Sequence, residues 1–228
     1  MNKFPVLTID GPAGSGKGTI AEHVAQELGW HILDSGALYR LVALAAQKKN
    51  CALDDNASLT MLADNLEAVF LPCEGGGIEI RLAGEDVTEA IRTEDCGCAA
   101  SQVAANAGVR KALLARQRNY LVAPGLVADG RDMGTVVFPE AMTKVFLTAS
   151  AEERAKRRFN QLNEKGVDVT LAGLIIEIQE RDLRDMNRTE SPLIAAFDAI
   201  TIDTSKLSIK QVVTQVLTLV KDRGFNNT

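Results

Sequence analysis

The stretch Thr8-Ile9-Asp10-Gly11-Pro12-Ala13-Gly14-Ser15-Gly16-Lys17-Gly18-Thr19 decides the fold of this chain. The apolar run 6–9 predicts a buried strand, and residues 19–28 have the periodicity of an amphipathic helix that is closed by Gly29. A strand, a glycine-rich loop with a lysine, and then a helix form the context of a phosphate-binding P-loop. The stretch therefore predicts a site for a nucleoside triphosphate.

The residue types of this loop explain why it would bind phosphate. Gly11, Gly14 and Gly16 allow positive φ and let backbone N–H groups approach an anion closely. The helix that starts at Lys17 adds the positive end of its dipole, and the Lys17 ammonium can reach the outer phosphates. The plain alternative is a glycine-rich turn with a lysine at the surface.

The loop departs from the usual pattern at one position. The spacing G-x-x-x-x-G-K is normally followed by Ser or Thr, whose hydroxyl binds Mg²⁺, but here Gly18 follows and Thr19 comes next. The metal would then need a ligand from elsewhere in the chain.

Composition limits the classes of protein to consider. The chain has 228 residues, a formal charge of −5 and four cysteines without metal-ligand spacing, and it lacks an apolar run near the ~20 residues of a membrane span. The acidic balance disfavours a nucleic-acid surface. Because residues 1–4 lead straight into the first strand, we expect no signal peptide, and scattered thiols then fit the cytoplasm. Neither nucleic acid nor membrane is expected as a partner.

Strands alternate with helices along most of the chain, which predicts an α/β fold with a doubly wound parallel sheet. Residues 68–73 and 78–82 alternate instead like an exposed antiparallel hairpin around the turn 74–77. We therefore expect a small antiparallel insert, roughly residues 56–93, outside the parallel sheet. Helices are expected over 94–105, which includes Gly97, and over 109–122.

Polar residues follow the predicted strands, where doubly wound sheets bind ligands. Lys17, Asp34-Ser35 and the stretch 129–132 lie just past strand ends. Asp129 ends an apolar strand, where its carboxylate can hold Mg²⁺ directly or through a water molecule. Arg131 and Asp132 follow in a tight turn, and an Asx-stabilised turn is the plain alternative.

The predicted helix over 170–187 changes character along one face. Leu174 and Ile178 form an apolar stripe, and at the same spacing Arg181, Asp185 and Arg188 continue it. A helix that leaves a core to line a polar cavity has this pattern. An ion-paired helix end at the surface is the alternative.

Further arginines lie on two other predicted helices. Arg154 and Arg158 are one turn apart on a basic face and would clamp a transferring phosphoryl group if that segment closes as a lid. Arg40 lies in the first turns of a helix that opens at Ser35, where a second bound phosphate would satisfy it. Solvated or ion-paired surface arginines remain the alternative for both groups.

Several motifs together resemble bacterial cytidylate kinases, within the nucleoside monophosphate kinases whose loop reads G-x-x-G-x-G-K-G-T. The likeness covers nearly the whole chain and rests on these stretches: residues 11–19, 33–40, 91–93, 100–104, 129–139, and 181–182 with Asp185 and Arg188. The resemblance implies a P-loop NTPase core, a small NMP-binding insert and a short helical lid. It places the core at 1–35, 106–150 and 168–228, the insert at about 36–105 and the lid at about 151–167.

The resemblance also implies an activity, the transfer of the γ-phosphoryl group of ATP-Mg²⁺ to CMP or dCMP. Its partners would be ATP and CMP or dCMP, with Mg²⁺ as cofactor, acting in a cytoplasmic monomer of pyrimidine metabolism. The residues Cys96-Gly97-Cys98 depart locally by placing a glycine inside a predicted helix, which predicts a weak helix there.

Roles follow by position from the family. The ATP-binding residues would be Gly11, Pro12, Ala13, Gly14, Ser15, Gly16, Lys17, Gly18 and Thr19. For CMP, the cytosine would be read by Ser35, Arg110 and Asp132, the sugar by Ser101, Arg181 and Asp185, and the phosphate by Arg40, Arg131 and Arg188. The catalytic set would be Lys17, Arg131, Arg154, Arg158 and Arg188, with Asp129 toward Mg²⁺.

Three rival functions stay open at this point. A P-loop kinase for another small acceptor, such as a different nucleotide or shikimate, would share the same loop. A GTPase would need D-x-x-G and N/T-K-x-D motifs, and the sequence contains neither. A non-catalytic nucleotide-binding module is the third possibility, and only a measured rate excludes it.

Overall fold

A computed structural model of the chain describes residues 4–72, 78–164 and 166–224. Its helices and strands are, in chain order, β1 Val6–Asp10, α1 Lys17–Leu28, β2 His31–Asp34, α2 Ser35–Lys48, α3 Asn56–Asp64, β3 Ala68–Pro72, β4 Ile78–Leu82, β5 Glu85–Asp86, α4 Glu94–Val103, α5 Ala107–Arg118, β6 Leu126–Gly130, β7 Thr143–Thr148, α6 Ala151–Glu164, α7 Leu171–Met186, β8 Ile200–Asp203 and α8 Ile209–Asp222. A 3₁₀ turn covers Ala90–Arg92 and a π-helical turn covers Met133–Val137.

The chain divides into two compact units. Unit 1 comprises Met1–Asp34 and Arg118–Thr228, and unit 2 comprises Ser35–Gln117. The predicted insert, 36–105, falls inside unit 2, which also takes in most of α5. The predicted lid, 151–167, falls inside unit 1 and stays a prediction.

Unit 1 is built on a five-stranded sheet in the order β2-β6-β1-β7-β8, and all its strand pairs are parallel. The central strand β1 is buried along its whole length, as expected for a parallel strand that is covered on both faces. Helices α1 and α8 pack over Leu7, Ile9 and Leu147 through the apolar stripe that includes Val24 and Val216. Burial of such side chains, at about 1.5–3 kcal/mol each, stabilises the sheet.

The ends of the two covering helices agree with the sequence. Gly29 closes α1 in the left-handed conformation with φ 65°, and its N–H donates to Ala25 and Gln26 carbonyls. Ser208 and Gln211 form a reciprocal capping box at the start of α8.

Unit 2 combines helices α2–α5 with a small antiparallel sheet in the order β3-β4-β5. Strand β5 had not been predicted, because two residues carry too little pattern. The predicted turn 74–77 lies outside the described residues. The prediction of a parallel α/β core with a small antiparallel insert is confirmed.

Two expected helices have different bounds in the structure. The helix predicted over 94–105 ends at Val103, and the one predicted over 109–122 runs from Ala107 to Arg118. Among the described residues, the structure has no helix with the length and apolarity to cross a membrane.

Candidate active site

The loop between β1 and α1 has the backbone that the glycines predict. Gly11, Gly14 and Gly16 have φ values of 154°, 75° and 87°. A Cβ atom on Gly11 would lie 2.1 Å from the carbonyl oxygen of Leu147, so no other residue fits there. The N-terminus of α1 thus follows a loop whose backbone only this glycine pattern allows.

Lys17 is the first residue of α1 and points back over the loop. Its Nζ atom lies 3.4 Å from the carbonyl oxygen of Pro12 and 4.0 Å from Oδ1 of Asp129. Burial lowers the pKa of Lys17, helped by the charge of Arg131, and the Asp129 carboxylate opposes this. Burial likewise raises the pKa of Asp129, and the Lys17 charge opposes this.

Asp129 fits the metal role that the sequence assigns to it. Its Oδ1 atom is buried and has no hydrogen-bond partner within the ranges that the structure describes. A Cβ atom on Gly18 would lie 3.4 Å from its other oxygen, Oδ2. The carboxylate therefore lies beside the position where other P-loops carry their metal-binding hydroxyl, and carboxylate oxygen is a suitable ligand for Mg²⁺.

Arg154, predicted as a lid arginine, is buried at 4% exposure and is engaged on three sides. Its Nε donates to the Ala149 carbonyl and its Nη1 to the Ala13 carbonyl, each at 3.0 Å. Both terminal nitrogens bind the Asp182 carboxylate on α7. A Cβ atom placed on Gly14 of the P-loop would lie only 3.2 Å from the Cβ atom of Arg154, so the two residues pack closely. In this structure, Arg154 holds the P-loop backbone in place.

Arg157 also contacts the P-loop, and sequence reasoning missed it. Its Nη2 donates to the Thr204 carbonyl at 2.6 Å, and its Nη1 to the Thr204 hydroxyl at 3.1 Å and the Ser15 carbonyl at 3.4 Å. The only sequence signal was its place in the basic run between Arg154 and Arg158. Arg158, by contrast, donates from Nη1 to Gln161 one turn along its own helix.

The charged end of α7 is assembled around a buried carboxylate. Leu174 and Ile178 lie in a small core with Ala155 and Leu162, and Asp185 on the same face is 3% exposed. The Asp185 Oδ2 atom accepts from Nε of Arg131 at 3.0 Å. The stripe therefore leaves a core and ends in charge, as the sequence predicted.

Three arginines hold the pKa of Asp185 below its usual value. Burial alone would raise that pKa, but the charges of Arg131, Arg188 and Arg181 together outweigh it. Arg188 is itself buried, and its guanidinium donates to the carbonyls of Asp185 and Ser191. The structure thus brings together four of the predicted acceptor-binding residues of unit 1. Asp132 is buried in the same unit, next to Arg131 in the chain.

In unit 2, Arg40 on α2 reaches across to the segment before α4. Its Nη1 donates to the carbonyls of Ile91 at 2.6 Å and Thr93 at 3.0 Å. A Cβ atom on Gly97 would lie 2.8 Å from its Nη2. Gly97 therefore makes room for the guanidinium. The expected weakness of α4 is offset by the Thr93 side chain, which caps the helix by accepting from the Cys96 N–H.

The other predicted residues of unit 2 lie on neighbouring helices. Ser35 begins α2 and Ser101 lies on α4, and both are buried. Arg110 on α5 donates to the Ala104 carbonyl at 3.1 Å, and its guanidinium carbon lies 5.5 Å from the ring centre of Tyr39. The contact between Tyr39 and Arg110 was not predicted from the sequence. The position of Tyr39 beside Arg40, at the start of the same helix, was the available signal that it lies near the predicted residues.

Comparisons with known proteins agree over nearly the whole chain. A family model described as cytidylate kinase matches residues 7–222. The cytidylate kinase of Shewanella frigidimarina is 58% identical over 219 residues, which cover 96% of each chain. That of Shewanella loihica is 55% identical, with 97% of this chain and 96% of the relative covered, and that of a Marinomonas species is 56% identical with 99% of both covered. This chain is a member of the cytidylate kinase family.

Proposed function

We propose that this enzyme transfers the γ-phosphoryl group of ATP to CMP or dCMP and releases ADP with CDP or dCDP. The observation that carries this proposal is the family match, which extends from β1 into α8 and includes both the P-loop and the charged end of α7. The relatives named above are cytidylate kinases, and this chain matches them almost end to end.

The transfer needs alignment more than acid–base chemistry. An oxygen of the acceptor phosphate attacks the γ-phosphorus, the bond from that phosphorus to the β-bridging oxygen breaks, and the electron pair leaves on ADP. The acceptor phosphate is already mostly dianionic near neutral pH, so no general base is required. Lys17 at the P-loop stabilises the negative charge on the transferring group.

Asp129 is the residue that would hold Mg²⁺, directly or through a water molecule. When bound, the metal neutralises phosphate charge and orients the β- and γ-phosphates. The buried Oδ1 atom of Asp129, which accepts no hydrogen bond from the described residues and has only the Lys17 ammonium at 4.0 Å, supports this assignment. Because Gly18 offers no hydroxyl, the protein's ligand to the metal would come from β6 rather than from the P-loop.

Recognition of the acceptor is proposed for residues of each unit. In unit 1, Arg131 and Arg188 would bind the phosphate, Arg181 and Asp185 the sugar, and Asp132 the exocyclic amine of cytosine. In unit 2, Arg40 would bind the phosphate, Ser101 the sugar, and Ser35 and Arg110 the base. Uracil would present a carbonyl to the Asp132 carboxylate, so the site should disfavour UMP.

The test is ADP formation from ATP-Mg²⁺ with CMP, dCMP, UMP, AMP, GMP, shikimate or no acceptor. We expect turnover to be largely confined to CMP and dCMP. Turnover with a different acceptor would keep the kinase and discard the base assignments. ADP formation independent of every acceptor would indicate an NTPase, and no turnover at all would indicate a binding module.

Lys17→Met is the matched control for that panel. Removal of the ammonium should abolish most turnover while far-ultraviolet circular dichroism and the melting temperature stay close to those of the parent. A fully active variant would remove the P-loop from the mechanism. Sedimentation of the same samples would test the expected monomer, which, like the cytoplasmic location, stays a prediction.

A further inference from the structure

Asp10, at the end of β1, is a buried acid that the proposed mechanism does not use. It is 4% exposed and lies in the central strand of the five-stranded sheet, immediately before the first glycine of the P-loop. A buried carboxylate is expensive unless its oxygens are satisfied by donors. Its partners therefore indicate what it does.

Both oxygens of Asp10 accept backbone hydrogen bonds from one turn. The N–H of Met133 donates to Oδ1 and the N–H of Gly134 to Oδ2, each at 2.8 Å. These two residues begin the π-helical turn Met133–Val137, in which the Phe138 N–H reaches back to the Met133 carbonyl at 2.7 Å. π-helical turns are rare and need support from their surroundings.

The same residue also pairs with the strand that precedes this turn. In the β1–β6 register, Asp10 is the partner of Gly130. Between Gly130 and Met133 lie only Arg131 and Asp132. Arg131 and Asp132 therefore lie between two residues that Asp10 holds: Gly130, its partner in the sheet, and Met133, whose N–H donates to its side chain.

The far end of the turn is fastened as well. Nε of Arg118 donates to the Val137 carbonyl at 2.9 Å, and Nη2 donates to the Val136 carbonyl at 3.1 Å. A carboxylate at the first N–H groups and a guanidinium at the last carbonyls match the polarity of a helical turn. The segment is therefore fixed at both ends by charged side chains.

We propose that Asp10 is a positioning residue for acceptor selection, which holds Arg131 and Asp132 in the geometry that binds the cytidine nucleotide. This inference rests on the proposed function, because Arg131 and Asp132 are assigned to the acceptor there. Asp10 touches no substrate in this scheme. It links the strand that carries the P-loop to the two-residue segment that reads the acceptor.

Asp10→Asn tests this idea with little change in volume. The amide keeps one acceptor oxygen but turns its NH₂ group toward the other backbone N–H, so one of the two bonds is lost. Loss of one of the two backbone hydrogen bonds that hold this turn predicts that the KM for CMP rises about tenfold or more, and that the preference for CMP over UMP falls. The Kd for ATP, measured without acceptor, should stay within about twofold.

Thr8→Val is the matched control. Thr8 lies two residues earlier on the same strand, is fully buried, and its hydroxyl has no hydrogen-bond partner in the described part of the chain. The substitution conserves volume beside the same turn and removes no bond to it, so the KM values for CMP and UMP should not change.

Gly134→Ala disturbs the hydrogen bond between the Gly134 N–H and Asp10 by changing the turn rather than the acid. This variant tests the role of Asp10 if Asp10→Asn does not fold. A Cβ atom there would lie 2.9 Å from Oγ1 of Thr8 and 3.3 Å from Oδ2 of Asp10, so the turn must shift. We expect the same rise in the KM for CMP. In both variants, an unchanged KM for CMP, or an equal loss of ATP and CMP binding, would overturn the proposal.

The parent enzyme separates this result from a failure of the proposed function. If the parent does not phosphorylate CMP, the function is wrong, and the ratio of variant to parent KM is measured with whichever acceptor the panel identifies. If the parent phosphorylates CMP and both variants keep the parent's KM and CMP-to-UMP ratio, only the role of Asp10 is wrong.

Discussion

The two units hold the candidate arginines in different ways. In unit 1, Arg131 is paired with the Asp185 carboxylate and Arg154 with the Asp182 carboxylate. In unit 2, Arg40 donates to the carbonyls of Ile91 and Thr93, which are neutral. Both arrangements fix the direction of a guanidinium. The carboxylates of unit 1 neutralise the charge of their arginines, whereas the carbonyls of unit 2 do not neutralise that of Arg40.

The difference separates stability from binding. A buried carboxylate–guanidinium pair leaves an uncompensated charge when one partner is removed, which costs about 3–5 kcal/mol. Carbonyl acceptors do not neutralise an arginine, so Arg40 keeps its positive charge, as the proposed contact with the acceptor phosphate requires. We therefore expect substitutions around the paired arginines to affect folding first, and substitutions around Arg40 to affect acceptor binding first.

The largest effect is expected for Arg154→Met. It leaves the Asp182 carboxylate without its guanidinium and also frees the carbonyls of Ala13 and Ala149. The free energy of unfolding should fall by about 3–5 kcal/mol, measured by urea denaturation. Lys156→Met on the same helix is the control, because Lys156 is exposed and its pair with Glu153 lies at the surface, and its melting temperature should be within about 2 °C of the parent's. Equal stability of the two variants would contradict the conclusion that Arg154 holds the P-loop backbone in place.

Asp185→Asn comes next and has a pH signature. Because the pKa of Asp185 is lowered in the folded state, its stabilising contribution is fully present above the unfolded value near 3.8. It is lost as the pH falls through the lowered pKa. The parent should exceed the variant by about 3 kcal/mol between pH 5 and 7, with the gap closing below about pH 4, by urea denaturation at each pH. A gap that does not change down to pH 3 would argue against the arginine pairing.

Gly97→Ala should have the smallest effect, confined to the acceptor. The new methyl group displaces the Arg40 guanidinium, so the KM for CMP should rise about tenfold, equivalent to about 1.4 kcal/mol. Stability should change by no more than about 1 kcal/mol, because the preference of a helix for alanine over glycine offsets the weakened bonds from Arg40 to the Ile91 and Thr93 carbonyls. Cys98→Ala, at an exposed position on the same helix, is the control. A parent-like KM in Gly97→Ala would show that Arg40 does not bind the acceptor.

Local patterns explain which parts of the molecule were predictable. The P-loop, the parallel sheet and the face of α7 each depend on residues within a few turns of one another, so spacing alone reveals them. The burial of Asp185 followed from its place on the stripe that begins at Leu174 and Ile178. The roles assigned to these residues stay predictions until activity is measured.

The remaining features depend on contacts between distant parts of the chain. From the sequence, Gly97 is expected only to weaken its helix. The structure shows that the Arg40 side chain occupies the space that a side chain at this position would need. The π-helical turn depends on Asp10, more than 120 residues earlier in the chain. Arg154 and Arg158 look equivalent on a helical wheel, and the contacts of Arg154 with α7 and with the P-loop backbone distinguish them. No periodicity in the sequence reports such pairings.

The contacts that hold residues 130–137 at both ends have a consequence for redesign of the acceptor site. Only Arg131 and Asp132 lie between Gly130, the strand partner of Asp10, and Met133, which donates to its carboxylate, and Arg118 holds the carbonyls beyond. A combinatorial library at these two positions would keep every anchor of the turn, but changes at Arg131 would also break its pair with Asp185 and lower stability, so Asp132 is the position at which to sample new acceptor preferences first. Selection from such a library would change what the enzyme phosphorylates without rebuilding the strand that carries its triphosphate loop.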